Sequence, residues 1–269
     1  MSGPVVTFLT DYGLSDPFVG VCHGVIAARC PSARIIDLSH GVPPQDVRAG
    51  AAVLARALRF MPVGVMLAVV DPGVGGARRG VAIRAAAGHL LVGPDNGLLW
   101  PAALAAGGVE AAVDLAGSRF ALEPVSATFH GRDVFAPVAA ALAGGAALAD
   151  AGSAIEPGSL VVLEPLVPAV EAHVLRARVA AIDGFGNLEL AATFTDLVAA
   201  EVAGSDPVLV EAGARPLPAH WGRTFSDVAV GELLLYEDSS GVLSLAVSCG
   251  SAARRLAVAT GDELRISAP

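Results

Sequence analysis

Lysine is absent from this chain: all 17 basic residues are arginine. Without a primary amine on any side chain, Schiff-base chemistry and the lysine of a phosphate-binding loop are both excluded. The bias itself fits a GC-rich coding sequence. Cysteine is scarce, with Cys22, Cys30 and Cys249 forming no CxxC pair, so buried thiols are expected and not a disulfide framework. The six histidines, His23, His40, His89, His130, His173 and His220, stand singly, with no zinc-type spacing. No metal is expected. Positive charge is also short, since the net charge is −9 and no basic cluster occurs, which argues against nucleic acid. No apolar run approaches the roughly 20 residues of a spanning helix, and the best candidate, Ala136 to Ala149, is broken by Pro137 and the Gly144-Gly145 pair. A soluble protein is expected. The start, MSGPVVTFLTDYG, lacks the features of a signal peptide, so the cytoplasm is the expected compartment.

What is present is apolar material: 54% of the 269 residues are hydrophobic, ample for one large domain or two ordinary ones. From Val5 to about Leu163, short β-branched runs alternate with alanine-rich stretches of helical length. That alternation predicts an α/β domain with a central mixed or parallel sheet flanked by helices. Strands are expected at Val5 to Leu9, Ile35 to Leu38, Val65 to Val70, Gly80 to Arg84 and His89 to Val92. Helices are expected at Pro17 to about Arg29, from a cap near Asp46 to about Phe60, and at Asp133 to Ala143. Pro157, Pro165 and Pro168 punctuate the segment between Glu156 and Val170, which places the boundary there, with domains at 1–165 and 171–269. The second domain reads as mostly β and barrel-like. Its strands are expected at His173 to Ile182, Asn187 to Leu190, Val208 to Val210, Glu232 to Tyr236 and Leu243 to Val247. Arg223 to Val228 and Gly261 to Leu264 read as hairpin connections, and a short helix is expected near Ser251 to Leu256.

Three segments put ionisable side chains where an apolar run gives way to a bend. They are Thr10-Asp11-Tyr12-Gly13, Asp71-Pro72-Gly73-Val74-Gly75 with Arg78 beyond it, and Phe129-His130-Gly131-Arg132-Asp133. Open α/β sheets assemble active sites at such places, so the chain reads as an enzyme. Taken singly, each residue has a plainer reading. Asp11 suits a helix cap or Asx turn, an Asp before Pro-Gly is usually a turn initiator, Arg78 beside Arg79 suits a solvated pair, and His130 a structural role.

The order of these segments, together with Val42 to Gly50, Gly93-Pro94-Asp95-Asn96-Gly97 and Asp183-Gly184-Phe185-Gly186-Asn187, resembles the S-adenosylmethionine hydroxide adenosyltransferases. That family is related to enzymes that fluorinate or chlorinate the same substrate, and the resemblance spans nearly the whole chain. It implies hydrolysis of S-adenosylmethionine to adenosine and methionine by in-line displacement at C5′, with no cofactor. It assigns Asp71, Arg78 and His130 to the water. It implies that Asp11 holds the ribose diol, and that Asp16, Asp183 and Ser239 meet the methionine portion. Asn187 is placed for the adenine edge, Phe225 or Phe185 for stacking on the ring, and Asn96 and Phe129 for lining the pocket. A homotrimer with sites at subunit interfaces is also implied. The halogenating relatives carry an uncharged residue at the Asp71 position and lack the Arg-His partnership; their arginine equivalents near Ser240 and Val247 are absent here. Two alternatives stay open, an adenosyl halogenase and a non-catalytic protein that binds an adenosine compound.

Overall fold

The computed structural model describes residues 3–213 and 215–269, which fall into two compact units divided after Leu163. The first unit begins with β1 (Val5–Thr10), α1 (Phe18–Arg29), β2 (Arg34–Ser39), α2 (Val47–Leu58) and β3 (Val65–Val69). It continues with β4 (Gly80–Ala85), β5 (Leu90–Pro94), α3 (Trp100–Ala105), β6 (Val109–Asp114), α4 (Ala136–Ala143) and β7 (Ser153–Ile155). The strands form one seven-stranded sheet in the order β2-β1-β3-β5-β4-β6-β7. Neighbours from β2 to β5 run parallel, while β4, β6 and β7 each run antiparallel to the strand before them in that order. The sheet is mixed.

Two cores sandwich this sheet, and the strand alternation explains both. Val65, Leu67 and Val69 of β3 face α1 and α4, with Cys22, Ile26, Phe135 and Val138. Met66, Ala68 and Val70 point the other way, to α2 and α3, with Leu54, Leu58, Leu98 and Ala102. Every residue of β3 is buried, as a strand covered on both faces requires. Asp46 caps α2 by accepting a hydrogen bond from Ala49 N at 2.9 Å. Because α1 and α2 lie on opposite faces, the chain leaves β1 in one direction and returns beside it as β3. The strand order therefore reverses between β1 and β3, the topological switch point at which such sheets hold ligands.

The second unit contains β8 (Ala169–Glu171), β9 (Val174–Ile182), β10 (Leu188–Leu190), α5 (Phe194–Ala199), β11 (Val208–Glu211) and β12 (Leu217–Trp221). It ends with β13 (Leu233–Glu237), β14 (Leu243–Val247), α6 (Ala252–Leu256) and β15 (Glu263–Ser267). These strands follow the order β10-β14-β13-β12-β11-β15-β9-β8, and a further pairing of β10 with β9 closes a barrel-like ring. The long β9 makes closure possible: its first half pairs with β15 and its second with β10.

Two expected hairpins are not hairpins. The segment 223–228 joins β12 to β13, which are parallel, so it is a crossover; the Asp227 carboxylate organises it by accepting from Arg223 N and Thr224 N. Glu263 and Leu264 are already inside β15, paired with β9 from much earlier in the chain. The strand β12 escapes a propensity reading because of Pro218, which pairs only with β11 and lies outside the β13 ladder.

Candidate active site

The paired ends of β1 and β3 bring two carboxylates to the switch point. Thr10 is in register with Val69, so Asp11 and Asp71 emerge from neighbouring strands within a residue of each other. The Asn96 amide donates to Val70 O at 2.8 Å, fastening the backbone just before Asp71. After the Asp71-Pro72 turn the chain returns with Arg78, whose Nε donates to Asp71 Oδ1 at 2.7 Å and whose Nη2 donates to Asp71 Oδ2. Arg78 Nη2 also lies 2.9 Å from His130 Nδ1. Three groups separated by up to 59 positions in the chain, 71 to 130, thus form one hydrogen-bonded unit. The pair is largely shielded, the Arg78 and Asp71 side chains being 12% and 6% exposed.

These contacts set the protonation of His130. A guanidinium only donates, so Nδ1 must accept and the ring proton sits on Nε2. Burial lowers the imidazole pKa, Arg78 lowers it further, and Asp71 and Asp133 counteract only in part. A neutral ring results. The Phe135 ring lies under Arg78, its centroid 5.1 Å from the guanidinium carbon.

A cleft of about 300 Å³ opens beside these groups, lined by Asp11, Asp71 and His130 together with Tyr12, Phe18 and Phe129. The three rings pack edge to face with centroids 5.1–5.9 Å apart, making one apolar wall. Burial pushes the Tyr12 phenol far up, with Cys22, Asp11 and Asp71 adding to the effect, so it stays a neutral hydroxyl. Asp11 Oδ2 accepts from Gln45 N at 2.8 Å, and Gln45 holds a left-handed φ of 66° to make that contact. A larger hollow of about 470 Å³ also touches Arg78 and His130, but neither Asp11 nor Asp71 lines it.

His130 sits at the entry of a π-helical turn, Gly131–Phe135, that runs directly into α4. The expected helix from Asp133 therefore begins two residues earlier and with wider winding. Gly131 is required here, because a Cβ would meet the Tyr12 hydroxyl at 2.1 Å. Asp133, whose role was not foreseen, pins the loop leading to His130. It accepts from Ser126 N at 2.8 Å and from both the Nε and Nη2 of Arg132. Burial alone would push its carboxyl up, but these bonds outweigh it and hold the pKa below the usual 3.8.

The remaining expected residues divide. Asp16 is exposed between β1 and α1 and is not among the residues lining the cleft. Asn96 does not line it either, its amide oxygen accepting from Leu98 N. In the second unit, Asp183 closes the β9–β10 loop, Oδ1 accepting from Phe185 N and Asn187 N and Oδ2 from Asn187 Nδ2 at 2.8 Å. Asp183 is near enough to Tyr236 to help burial raise that hydroxyl's pKa, and Phe225 packs on Tyr236 at 5.6 Å. Phe185 is 82% exposed, and Ser239 is exposed on the β13–β14 turn. Tyr12, Gln45, Phe18 and Thr128 also line the cleft and were not singled out. Tyr12 and Gln45 lie inside recognised motifs, which is a usable signal; Phe18 carries none.

Known proteins bear on this geometry. The family model described as the SAM hydroxide adenosyltransferase N-terminal domain matches residues 6–152, and that of the C-terminal domain matches residues 177–265. A protein of Salinispora arenicola named (R)-S-adenosyl-L-methionine hydrolase is 52% identical over 267 residues, covering 99% of each chain. A solved structure of an uncharacterized conserved protein from Thermotoga maritima superposes with a TM-score of 0.88 at 38% identity, covering 97% of this chain and 99% of that one. A fluorinase of Actinoplanes is 28% identical, covering 90% of each chain.

Proposed function

Because the chain belongs to the SAM hydroxide adenosyltransferase family, we propose that it hydrolyses S-adenosyl-L-methionine to adenosine and L-methionine. The observation that carries this reading is the bonded set of Asp71, Arg78 and His130 at the edge of a cleft that also holds Asp11.

The sulfonium is already a good leaving group, so the protein has to supply a positioned nucleophile. A water beside Asp71 gives a hydrogen to a carboxylate lone pair that Arg78 leaves unused, while His130 offers its Nε2–H to the same oxygen. Arg78 favours the hydroxide-like form electrostatically. As the oxygen attacks C5′ in line, the C–S electron pair leaves with sulfur as a neutral thioether, and the water's proton passes through Asp71 to solvent. Asp11 accepts hydrogen bonds from the ribose diol, and the aromatic wall covers the adenosyl group. Asp16, Asp183 and Ser239 are assigned to the methionine end, Asn187, Phe185 and Phe225 to the adenine, and Asn96 to support behind Asp71. Catalysis needs no cofactor. The chain works as a homotrimer, and its three free cysteines suit a reducing compartment such as the cytoplasm.

The ion pair disfavours halogenation, since the Asp71 carboxylate repels a halide and the Arg78 donors facing it are already spent on that carboxylate. Incubation with S-adenosylmethionine and chloride, followed by chromatography, decides the matter. Adenosine supports hydrolysis, 5′-chloroadenosine overturns it in favour of a halogenase, and bound but unchanged ligand overturns it in favour of a binding protein.

A further inference from the structure

Outside the cleft lining, three residues from α1 and from β2 and its end meet on one side of the sheet. His23 of α1, Asp37 of β2 and His40 just after β2 offer ligand atoms that all lie within 4.8 Å of one another. His23 Nε2 hydrogen-bonds Asp37 Oδ1 at 2.9 Å through a ring proton that a bound metal ion would displace, and His40 Nε2 lies 3.1 Å from the same oxygen. These separations approach the roughly 3.4 Å edge of a tetrahedron with bonds of about 2.0–2.1 Å, the length of zinc–imidazole and zinc–carboxylate contacts.

His40 is the telling member. It is 6% exposed, and its Nε2 has no hydrogen-bond partner although the Asp37 oxygen is close. A buried imidazole nitrogen that approaches a carboxylate oxygen without aligning to it as donor to acceptor keeps its own position unused beside that oxygen. The other ring nitrogen is already committed, with Nδ1 2.8 Å from the Thr10 hydroxyl, the outer hydrogen bond that orients a metal-ligating imidazole. Phe8 packs against both rings, at 5.8 Å from His23 and 4.9 Å from His40, and gives the cluster an apolar floor. Asp37 and His23 reach the surface and leave an entry path.

We propose that His23, Asp37 and His40 form a binding site for a divalent transition-metal ion of the zinc type. Two neutral imidazoles and one carboxylate suit such a borderline cation, with a fourth position open to water. The ion's place is structural. His40 also accepts Gly13 N at its backbone oxygen, and Thr10 Oγ1 accepts Tyr12 N, so the site grips the loop that carries Asp11 and Tyr12.

Chelator-stripped full-length protein titrated with cobalt(II) tests the assignment. The expected result is one ion per chain, with the visible absorption bands of four-coordinate cobalt, displaced by zinc. Affinity should fall at least about tenfold in His23→Ala and in Asp37→Asn. It should be unchanged in His130→Ala, which removes a histidine elsewhere. Absence of the bands, or equal affinity in wild type and both variants, overturns the site. Circular dichroism of the metal-free variants separates ligand loss from misfolding, and if His23→Ala melts early, His23→Gln is the variant read.

Discussion

Arg78 and Arg79 adjoin in the chain yet serve different ends. Arg78 turns to Asp71 and His130, whereas Arg79 bonds the buried Asp95 and the carbonyl of Ser159. A doublet that reads as a solvated pair is thus one candidate site residue and one structural staple, a distinction that depends wholly on where partners from positions 71, 95, 130 and 159 arrive. Replacing Asp71 by Asn removes the proton acceptor and unbalances Arg78, so kcat should fall by about 10²–10⁴-fold with little change in KM. Asp11→Ala should do the opposite. Loss of hydrogen bonds to a charged acceptor costs about 1.5–3 kcal/mol, which appears as a rise in KM of roughly 10- to 150-fold. Steady-state kinetics of both variants separates the roles, and matched losses in the two would contradict them.

His130 makes the reaction pH-dependent in a stated direction. In the proposed role its active form is neutral, and its pKa lies below the ordinary 6.5, chiefly through burial. Activity should therefore hold as pH falls through 6.5 and be lost only below it, when protonation turns Nδ1 into a second donor facing Arg78. An acid limb centred at or above 6.5 in the kcat/KM profile would contradict this assignment, as would an unchanged limb in His130→Ala.

At the scale of elements, the loop and π-helical turn that present His130 are held from below by Asp133. Removing that carboxylate in Asp133→Ala leaves Ser126 N and Arg132 without their acceptor. The cost should be about 2 kcal/mol, less than for a fully buried pair because the Arg132 side chain is 37% exposed. The sign with pH follows from the lowered carboxyl: its stabilisation is full above the unfolded value near 3.8 and is lost as pH falls through the lower folded value. Thermal melts across that acid range should converge for wild type and variant. Gly131→Ala acts on the same element by driving a methyl into the Tyr12 hydroxyl, and should lower activity while leaving most of the stability in place.

Elements within the reach of local pattern were legible in the sequence. The Val65 run, the Asp46 cap and the helix after His130 follow from apolar periodicity and capping chemistry among near neighbours. Others were not. β15 was hidden because Glu263 and Leu264 look like turn residues until β9 supplies their partner, and Pro218 disguised β12.

At the scale of the molecule, each unit carries its own core. Among the described residues, the barrel-like core draws on those from Leu175 to Ile266, with Leu188, Leu235, Leu245 and Ile266 fully enclosed. A fragment of residues 164–269 should therefore fold alone and melt cooperatively. A broad, non-cooperative transition by circular dichroism would show that it depends on the rest of the chain.

The sequence alone determined the α/β and β-rich composition of the two halves, the family, and the positions where strand ends carry acidic and basic side chains. These are properties of residues near one another in the chain, where periodicity and turn chemistry operate. Only the tertiary structure decided that Asp71, Arg78 and His130 bond together, that β9 closes the ring on β10, and that His23, Asp37 and His40 meet. Those outcomes depend on strand register, on which face each crossover helix takes, and on packing between distant segments, none of which a local pattern contains.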